Sequence, residues 1–433
     1  MKLKKGRTMD KKNIGFISFR ISGTDGVSLE TKKWAEVFDK FGFKSFYMAG
    51  ELDTDPKVSF QVDEAHFKHP ETLRLYKQSF NGGETRPRKL SQDMHSFKDL
   101  LKDKIYEFIE KFSLDMIIPQ NTLTIPLNIP LAMAITEVIA ETNIPTIAHH
   151  HDFFWERKRF LRNCVWDFLG AHYPPHLNSI KHVVINSSAG HQLGLRTGIS
   201  STLIPNVMNF ENPQPPIDEF NADVRKTFGI AEDELFVLQP TRVVQRKGIE
   251  HAIELVARLK RKAVLVISHA SGDEGYEYEQ RVKEFAELLK IRALFVSESI
   301  GDSRGYRENG EKIYSLQDIY PHADLVTYPS LQEGFGNAFL ETVYFRKPIL
   351  VNNYSIYAYD IKPKGFEAIE MDNFISQSTV DTTNKLLDNP EEIKRITDKN
   401  YQLSLKHYSF TVLKNKLRGL VEDIWGRPAN PCD

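Results

Sequence analysis

The chain has 433 residues, of which 41% are hydrophobic and 27% charged, an ordinary balance for a globular protein with a large buried core. Lys and Arg number 57 against 58 Asp and Glu, so the formal net charge is −1 and nothing favours a nucleic-acid coat or a polybasic membrane binder. Two cysteines, Cys164 and Cys432, exclude a disulfide framework and a cysteine-rich metal cluster, and they fit a reducing compartment.

At about 150 residues per domain, the length predicts two or three domains. The basic N-terminus (MKLKKGRTMDKK) precedes no apolar stretch of roughly 7–15 residues, so no secretory signal is expected. Residues 13–19 (NIGFISF) read as a strand and 21–26 (ISGTDG) as a glycine-bearing turn. A helix follows over 27–38, where Leu29, Trp34, Val37 and Phe38 recur at helical spacing. The alternation continues with strand 43–48, helix 96–112, strand 114–118, helix 130–139 and strands 144–149 and 181–185. The charge-free stretch 122–136 is too short, and too broken by Pro126 and Pro130, to span a bilayer as one helix. Four prolines between Ile204 and Asp218 mark an inter-domain connector.

Beyond it the alternation restarts with strand 235–238, helix 248–259, strand 263–268, helix 276–289 and strand 293–296. It goes on with helix 313–321, strand 325–328, helix 337–345 and strand 349–351, and a helical tail covers 390–425. Strands alternating with helices predict two α/β domains built on parallel sheets, doubly wound, with ligands at the carboxyl ends of the strands and in a cleft between the domains. No G-x-x-x-x-G-K-[ST], no G-x-G-x-x-G after the first strand and no G-x-S-x-G is present, which argues against a P-loop NTPase, a NAD enzyme and an α/β-hydrolase.

The segment 328–348 (YPSLQEGFGNAFLETVYFRKP) is the richest in chemistry. A strand enters a glycine-bearing loop and a helix starts near Asn337, so backbone N–H groups at Phe335, Gly336, Asn337 and Ala338 suit a phosphate. Glu333 on the loop and Glu341 in the helix are suited to hydroxyl groups of a ribose and a hexose. Arg242 and Lys247, in PTRVVQRKG after an earlier strand, are placed to clamp a diphosphate. Read alone, these cations fit a solvated loop equally well. The segment 268–272 (SHASG) leaves a neighbouring strand and is a further candidate for base or phosphate contact.

Arg242-x4-Lys247 followed by Glu333-Gly-Phe-Gly-x4-Glu341 resembles the retaining glycosyltransferases of family 4, and residues 314–350 are similar to that family's donor-site signature almost throughout. IPNVMN at 204–209 resembles its inter-domain IPNGVD, and the likeness extends over 13–425. The resemblance implies the GT-B architecture, with two Rossmann-like domains facing a central cleft. It implies an acceptor-binding domain over 1–205, a nucleotide-sugar-binding domain over 206–405, and a C-terminal helix over 406–433 that packs back towards the first domain.

In that family pattern Arg242 and Lys247 hold the donor diphosphate, Glu341 the ribose, and Glu333 the transferred sugar. Gly334, Phe335, Gly336, Asn337 and Ala338 offer backbone donors. His151, of the His151-Asp152 pair ending AHHHD, sits near the transferred sugar. Gly23 and Gly26 flank the turn where the family has a glycine pair, and Asp25 stands in the first place of that pair. This points to acceptor hydroxyls, with a tight turn capping the helix as an equal alternative. Arg157, in the run 157–159, is expected on the acceptor side. Zinc at His149–His151 is disfavoured because successive strand residues face opposite ways.

The expected reaction moves a hexose from a nucleoside-diphosphate sugar, with GDP-mannose and UDP-glucose leading, to an acceptor hydroxyl with retention. No tightly bound cofactor is implied, no protein-ligated metal (a stimulatory divalent cation aside), no nucleic-acid partner and no transmembrane segment. A cytoplasmic enzyme is the expectation, with self-association left open. Residues 349–366 depart from the common pattern and, with GTDGVSLETKKW, are similar to a subgroup that makes glycosylated glycerate-type solutes. The alternatives are a sugar-nucleotide epimerase or phosphorylase on the same scaffold, or a non-catalytic nucleotide-sugar binder.

Overall fold

The computed structural model describes residues 11–23, 25–271 and 275–426. Residues 1–10 of the basic N-terminal run, Thr24 of the first turn, Gly272 of SHASG and Cys432 therefore lie outside the described residues. Two compact units are present. One takes in the described residues up to Pro205 and those from Leu413 onward, and the other runs Asn206–Val412.

The first unit is a seven-stranded, all-parallel sheet in the order β3-β2-β1-β4-β5-β6-β7. The strands are β1 Asn13–Ile17, β2 Lys44–Ala49, β3 Ser59–Gln61, β4 Met116–Pro119, β5 Thr146–His150, β6 Ile180–Val184 and β7 Ser201–Leu203. Side chains alternate across the sheet as the pleat requires. Ile17 joins a core shared with the helices Arg88–Phe112 and Ile129–Thr142, while Phe16 packs with Phe38 of the helix Gly26–Lys40. Trp425 sets its ring on Phe43 of this unit at 5.8 Å, and Arg418 lies over Phe41.

The second unit carries β8 Leu235–Gln239, β9 Ala263–Ile267, β10 Ala293–Phe295, then β11 Ile300–Gly301, β12 Gly305–Tyr306 and β13 Lys312–Ser315, and finally β14 Leu325–Tyr328, β15 Ile349–Asn352 and β16 Ile369–Met371. Six of these form a parallel sheet in the order β10-β9-β8-β14-β15-β16, and the middle three form a small separate sheet. In both large sheets the chain's order reverses beside one strand, at β1 against β4 and at β8 against β14. Loops leaving adjacent strands there run apart and open a ligand crevice.

Three expectations need correction. Residues 313–321 are not one helix: β13 pairs with β11 and β12, and only Leu316–Ile319 is α-helical, capped by a reciprocal Ser315–Asp318 box. Pairing with both neighbours holds 312–315 extended, and the helix starts only at the Ser315 cap. The tail is two helices, Pro390–Tyr408 and Phe410–Trp425, because Ser409 between them is extended. The first of these belongs to the second unit, where Tyr401 donates to the Phe210 carbonyl at 2.7 Å, so the chain changes unit at 412/413 and not at 405/406. The segments Ser59–Gln61 and Pro70–Ser79, to which sequence reasoning assigns no element, are a strand and a helix.

Asn128 ties the first unit together. Its Oδ1 caps the helix Ile129–Thr142 by accepting from Leu131 N–H at 3.1 Å, and its Nδ2 donates to the Glu64 carbonyl at 2.9 Å, all in a buried setting. Asn128→Ala removes the cap and takes the donor from the buried Ala65 carbonyl, which Nδ2 reaches at 3.3 Å, while Thr72 Oγ1 still donates to the Glu64 carbonyl, so urea unfolding should show a loss of about 2 kcal/mol. A loss under about 0.5 kcal/mol would show that water replaces both bonds.

Candidate active site

In the second unit the loop after β8 carries the cations. A 3-10 turn, Gln245–Lys247, ends at Gly248, whose φ of +60° leads into the helix Ile249–Leu259. A Cβ on Gly248 would stand 2.7 Å from the Pro329 carbonyl oxygen, so glycine is what lets the loop after β14 come this close. That approach brings Glu333 to Lys247. The Lys247 ammonium donates to Glu333 Oε1, and Arg246 Nη1 lies 3.1 Å from Oε2. The Lys247 and Glu333 side chains are only 11% and 10% exposed, which makes this a desolvated pair.

Electrostatics follow from that geometry. Burial is the largest influence on Lys247 and leaves its ammonium below the ordinary lysine range, against the pull of Glu333. Burial pushes Glu333 upward, but Lys247 and Arg246 together outweigh it and hold the carboxylate ionised below its usual range. Tyr328, with Lys247 5.5 Å from its ring centre, is kept un-ionised by burial and by the Glu333 charge.

His269, just past β9, is pushed down to about 4 by burial and then by the charges of Lys247 and Arg242, so it stands neutral beside them, its Nδ1 2.6 Å from Ser268 Oγ. Arg242 itself is exposed. Arg246 was not singled out by sequence reasoning, since the spacing that marks Arg242 and Lys247 passes over it.

The loop from Glu333 turns through Gly334, Phe335 and Gly336 into the helix Asn337–Tyr344. Gly336 has φ +122° and ψ 67°, a conformation only glycine holds without strain. Phe335 is buried on Tyr408, and Asn337 Oδ1 accepts from Asn206 of the IPNVMN segment at 2.7 Å. Ala338 is buried in the first helical turn. Glu341, one turn further, accepts from the Tyr320 hydroxyl at 3.0 Å. The structure thus brings Lys247, Arg246 and Glu333 into contact at the junction of β8 and β14, with the helix N-terminus directly following in the chain.

The first unit has the corresponding crevice beside β1 and β4, with different chemistry. Asp25 is the N-cap of the helix that opens at Gly26. Its Oδ1 accepts from Val27 and Ser28 N–H, its Oδ2 accepts from Ser28 Oγ at 2.6 Å, and Arg20 stands 3.4 Å away. Of the two readings of this turn, the capping one is what the geometry displays. Gly23, at φ +65°, donates its N–H to Asp53 Oδ2 at 2.9 Å.

His149 stacks on Trp34 at 4.2 Å and its Nδ1 meets Gln120 Oε1 at 2.9 Å; His151 approaches the same oxygen at 3.4 Å. His150 faces the other way, 2.9 Å from His182. Among the described residues no group of three or more His, Cys, Asp or Glu is arranged to hold a metal ion. Burial pulls His151 down to about 4, so it stands uncharged. Asp152 accepts from Asn121 Nδ2 at 2.9 Å and pairs with Arg157, and Glu156 nearby is pushed up to about 7, by burial first and then by Asp152. Lys158 and Arg159 are exposed.

Comparison with known proteins adds three findings. Residues 220–403 match the family described as glycosyl transferases group 1. The chain is 33% identical over 381 residues to the mannosylglucosylglycerate synthase of Petrotoga mobilis, covering 83% of this chain and 86% of that one. It is 31% identical over 445 residues to the Thermotoga maritima protein of the same name, covering 93% and 98%. In fold it is similar to a glycosyltransferase of Rickettsia africae (TM-score 0.69, 13% identity, 97% of this chain and 100% of that one) and to Anabaena HepE solved with UDP and glucose (0.65, 13%, 95% and 100%). Among the described residues no helix is long and apolar enough to cross a membrane.

Glu333→Gln leaves Lys247 buried without its carboxylate and should cost about 3 kcal/mol at neutral pH. The lysine then binds its proton more weakly folded than unfolded, so the unfolded state holds more protons. The deficit should shrink as pH rises towards the unfolded lysine value of about 10.4. Urea melts of wild type and variant at pH 7 and pH 9.5 check this. An equal deficit at both would mean that Lys247 is not the group left uncompensated.

Proposed function

The chain belongs to the group 1 glycosyl transferases, and from that premise we propose that it transfers a hexose from a nucleoside-diphosphate sugar to a hydroxyl of a glycerate-based acceptor, with retention at the anomeric carbon. The observation that carries the donor half is the buried Lys247–Glu333 pair, flanked by the partly exposed Arg246, at the carboxyl ends of β8 and β14. Leaving-group departure puts negative charge on a diphosphate, and preorganised cations in a site of low polarity stabilise that charge without reorganising at the moment of reaction. Lys247 and the exposed Arg242 take that role. Glu333, already ionised, accepts hydrogen bonds from sugar hydroxyls, and Glu341 takes the ribose. GDP-mannose and UDP-glucose are the donors to try first.

The acceptor half rests on the two synthases named for mannosylglucosylglycerate, each matched over most of its length. His151, uncharged, suits neutral hydroxyls, and Gly23, Gly26 at the start of its helix and Asp152 belong to the same unit. Arg157 with Lys158 and Arg159 supplies positive charge for the acceptor's carboxylate.

The test is a product assay by mass spectrometry, with GDP-mannose or UDP-glucose as donor and glycerate or a glucosylated glycerate as acceptor. The proposal expects one donor to give a product one hexose heavier than the acceptor, with an α anomeric signal by NMR. Lys247→Ala should lower kcat/KM at least about 100-fold. Arg157→Ala should raise the KM for acceptor several-fold more than that for donor. Hexose transfer to water alone, or to acceptors lacking a carboxylate as readily as to glycerates, would contradict the proposed acceptor.

A further inference from the structure

Tyr354 lies just after β15, within the run 349–366 that departs from the common family pattern, and has been given no role so far. Its side chain is buried at 3% exposure, and its hydroxyl donates to the Phe335 carbonyl at 2.8 Å. Its own backbone is fixed: Tyr354 N–H donates to the Asn352 carbonyl at 2.8 Å, and its carbonyl accepts from Ala358 N–H at 2.9 Å, next to the π-helical turn Tyr357–Ile361. The ring meets Tyr328 edge-on, with centroids 6.0 Å apart at 84°. The hydroxyl also occupies the space over Gly336, where a Cβ would come within 2.4 Å of it.

These contacts have a directional consequence. A trans peptide points its C=O and the following N–H in opposite directions. Holding the Phe335 carbonyl on Tyr354 therefore turns the Gly336 N–H away from Tyr354, at the entry to the helix Asn337–Tyr344, where the helix dipole favours negative charge. Glycine alone offers little resistance to rotation of that peptide. One buried hydroxyl removes the freedom before any ligand arrives, and preorganisation of this kind appears as affinity.

We infer that Tyr354 is a positioning residue for donor binding: its hydroxyl locks the Phe335–Gly336 peptide so that the Gly336 N–H faces the oxygens of the nucleoside-diphosphate sugar. The inference rests on the reading that Gly334–Ala338 hold the donor.

The experiment titrates UDP and GDP calorimetrically into wild type, Tyr354→Phe, Lys247→Ala and a protein with 4-aminophenylalanine at 354, and measures both substrate KM values. Tyr354→Phe keeps the ring and loses the donor, so binding of the preferred diphosphate should weaken about tenfold. The donor KM should rise to match and the acceptor KM should hold. The amine, which still donates to the Phe335 carbonyl, should restore most of the loss. If Tyr354→Phe does not fold, 4-fluorophenylalanine fills the hydroxyl's place without donating and serves in its stead.

Binding within twofold of wild type in Tyr354→Phe, while Lys247→Ala loses it, overturns the inference and leaves the donor site standing. A loss that the amine does not restore is a packing defect and also overturns it. Unchanged binding in both Tyr354→Phe and Lys247→Ala overturns the donor site itself, and the inference with it.

Discussion

A carboxylate and an ammonium share a burial that neither would tolerate alone. Glu333 and Lys247 lie 86 positions apart in the chain, yet β14 and β8 are neighbours in the sheet, and their exit loops meet because Gly248 has no side chain to keep Pro329 away. Ion pairs of this kind contribute little net stability, since desolvation offsets most of the attraction. What the pair contributes is position. It fixes the start of the Gly-Phe-Gly loop, and Arg246 supplies the second cation that keeps Glu333 ionised.

The same parallel-sheet topology produces two unlike crevices. In the second unit the loops bring charge: buried Lys247, exposed Arg242, ionised Glu333 and a neutral His269 next to the cations. In the first unit burial keeps the imidazoles uncharged, with Gln120 between His149 and His151, and the charges beside them are paired, Arg20 with Asp25 and Arg157 with Asp152. A crevice with fixed cations suits a diphosphate, and one with neutral imidazoles and amides suits hydroxyls. That contrast matches a reaction in which one substrate carries phosphates and the other presents an alcohol.

Much of this was legible in the sequence, for stated physical reasons. Continuous apolar runs separated by helical periodicity are what a doubly covered parallel sheet requires, and five strands of each large sheet were readable from them, while the short edge strands β3, β7 and β16 were not. Arg242 with Lys247, and Glu333 with the Gly-Phe-Gly turn, stand out as two short patterns, and the resemblance to the family 4 donor-site signature joins them across the chain. Less was legible where function depends on contacts between distant segments. Arg246 looks like a loop cation until β14 is laid beside β8. Tyr354 looks like one tyrosine in an aromatic stretch until its hydroxyl is seen on the Phe335 carbonyl. Asp25 was open between ligand contact and helix cap, and only the positions of the Val27 and Ser28 amides reveal the cap. The small sheet of β11, β12 and β13 escaped because its strands are too short to show a period.

The central claim is that the Lys247–Glu333 junction receives the donor's diphosphate. A crystal structure of the chain with the nucleoside diphosphate that binds most tightly tests it directly. The account predicts phosphate oxygens on the Lys247 ammonium and on the backbone amides at the start of the helix Asn337–Tyr344, with the ribose on Glu341. A diphosphate bound elsewhere, with Lys247 and Glu333 paired and untouched, would contradict it.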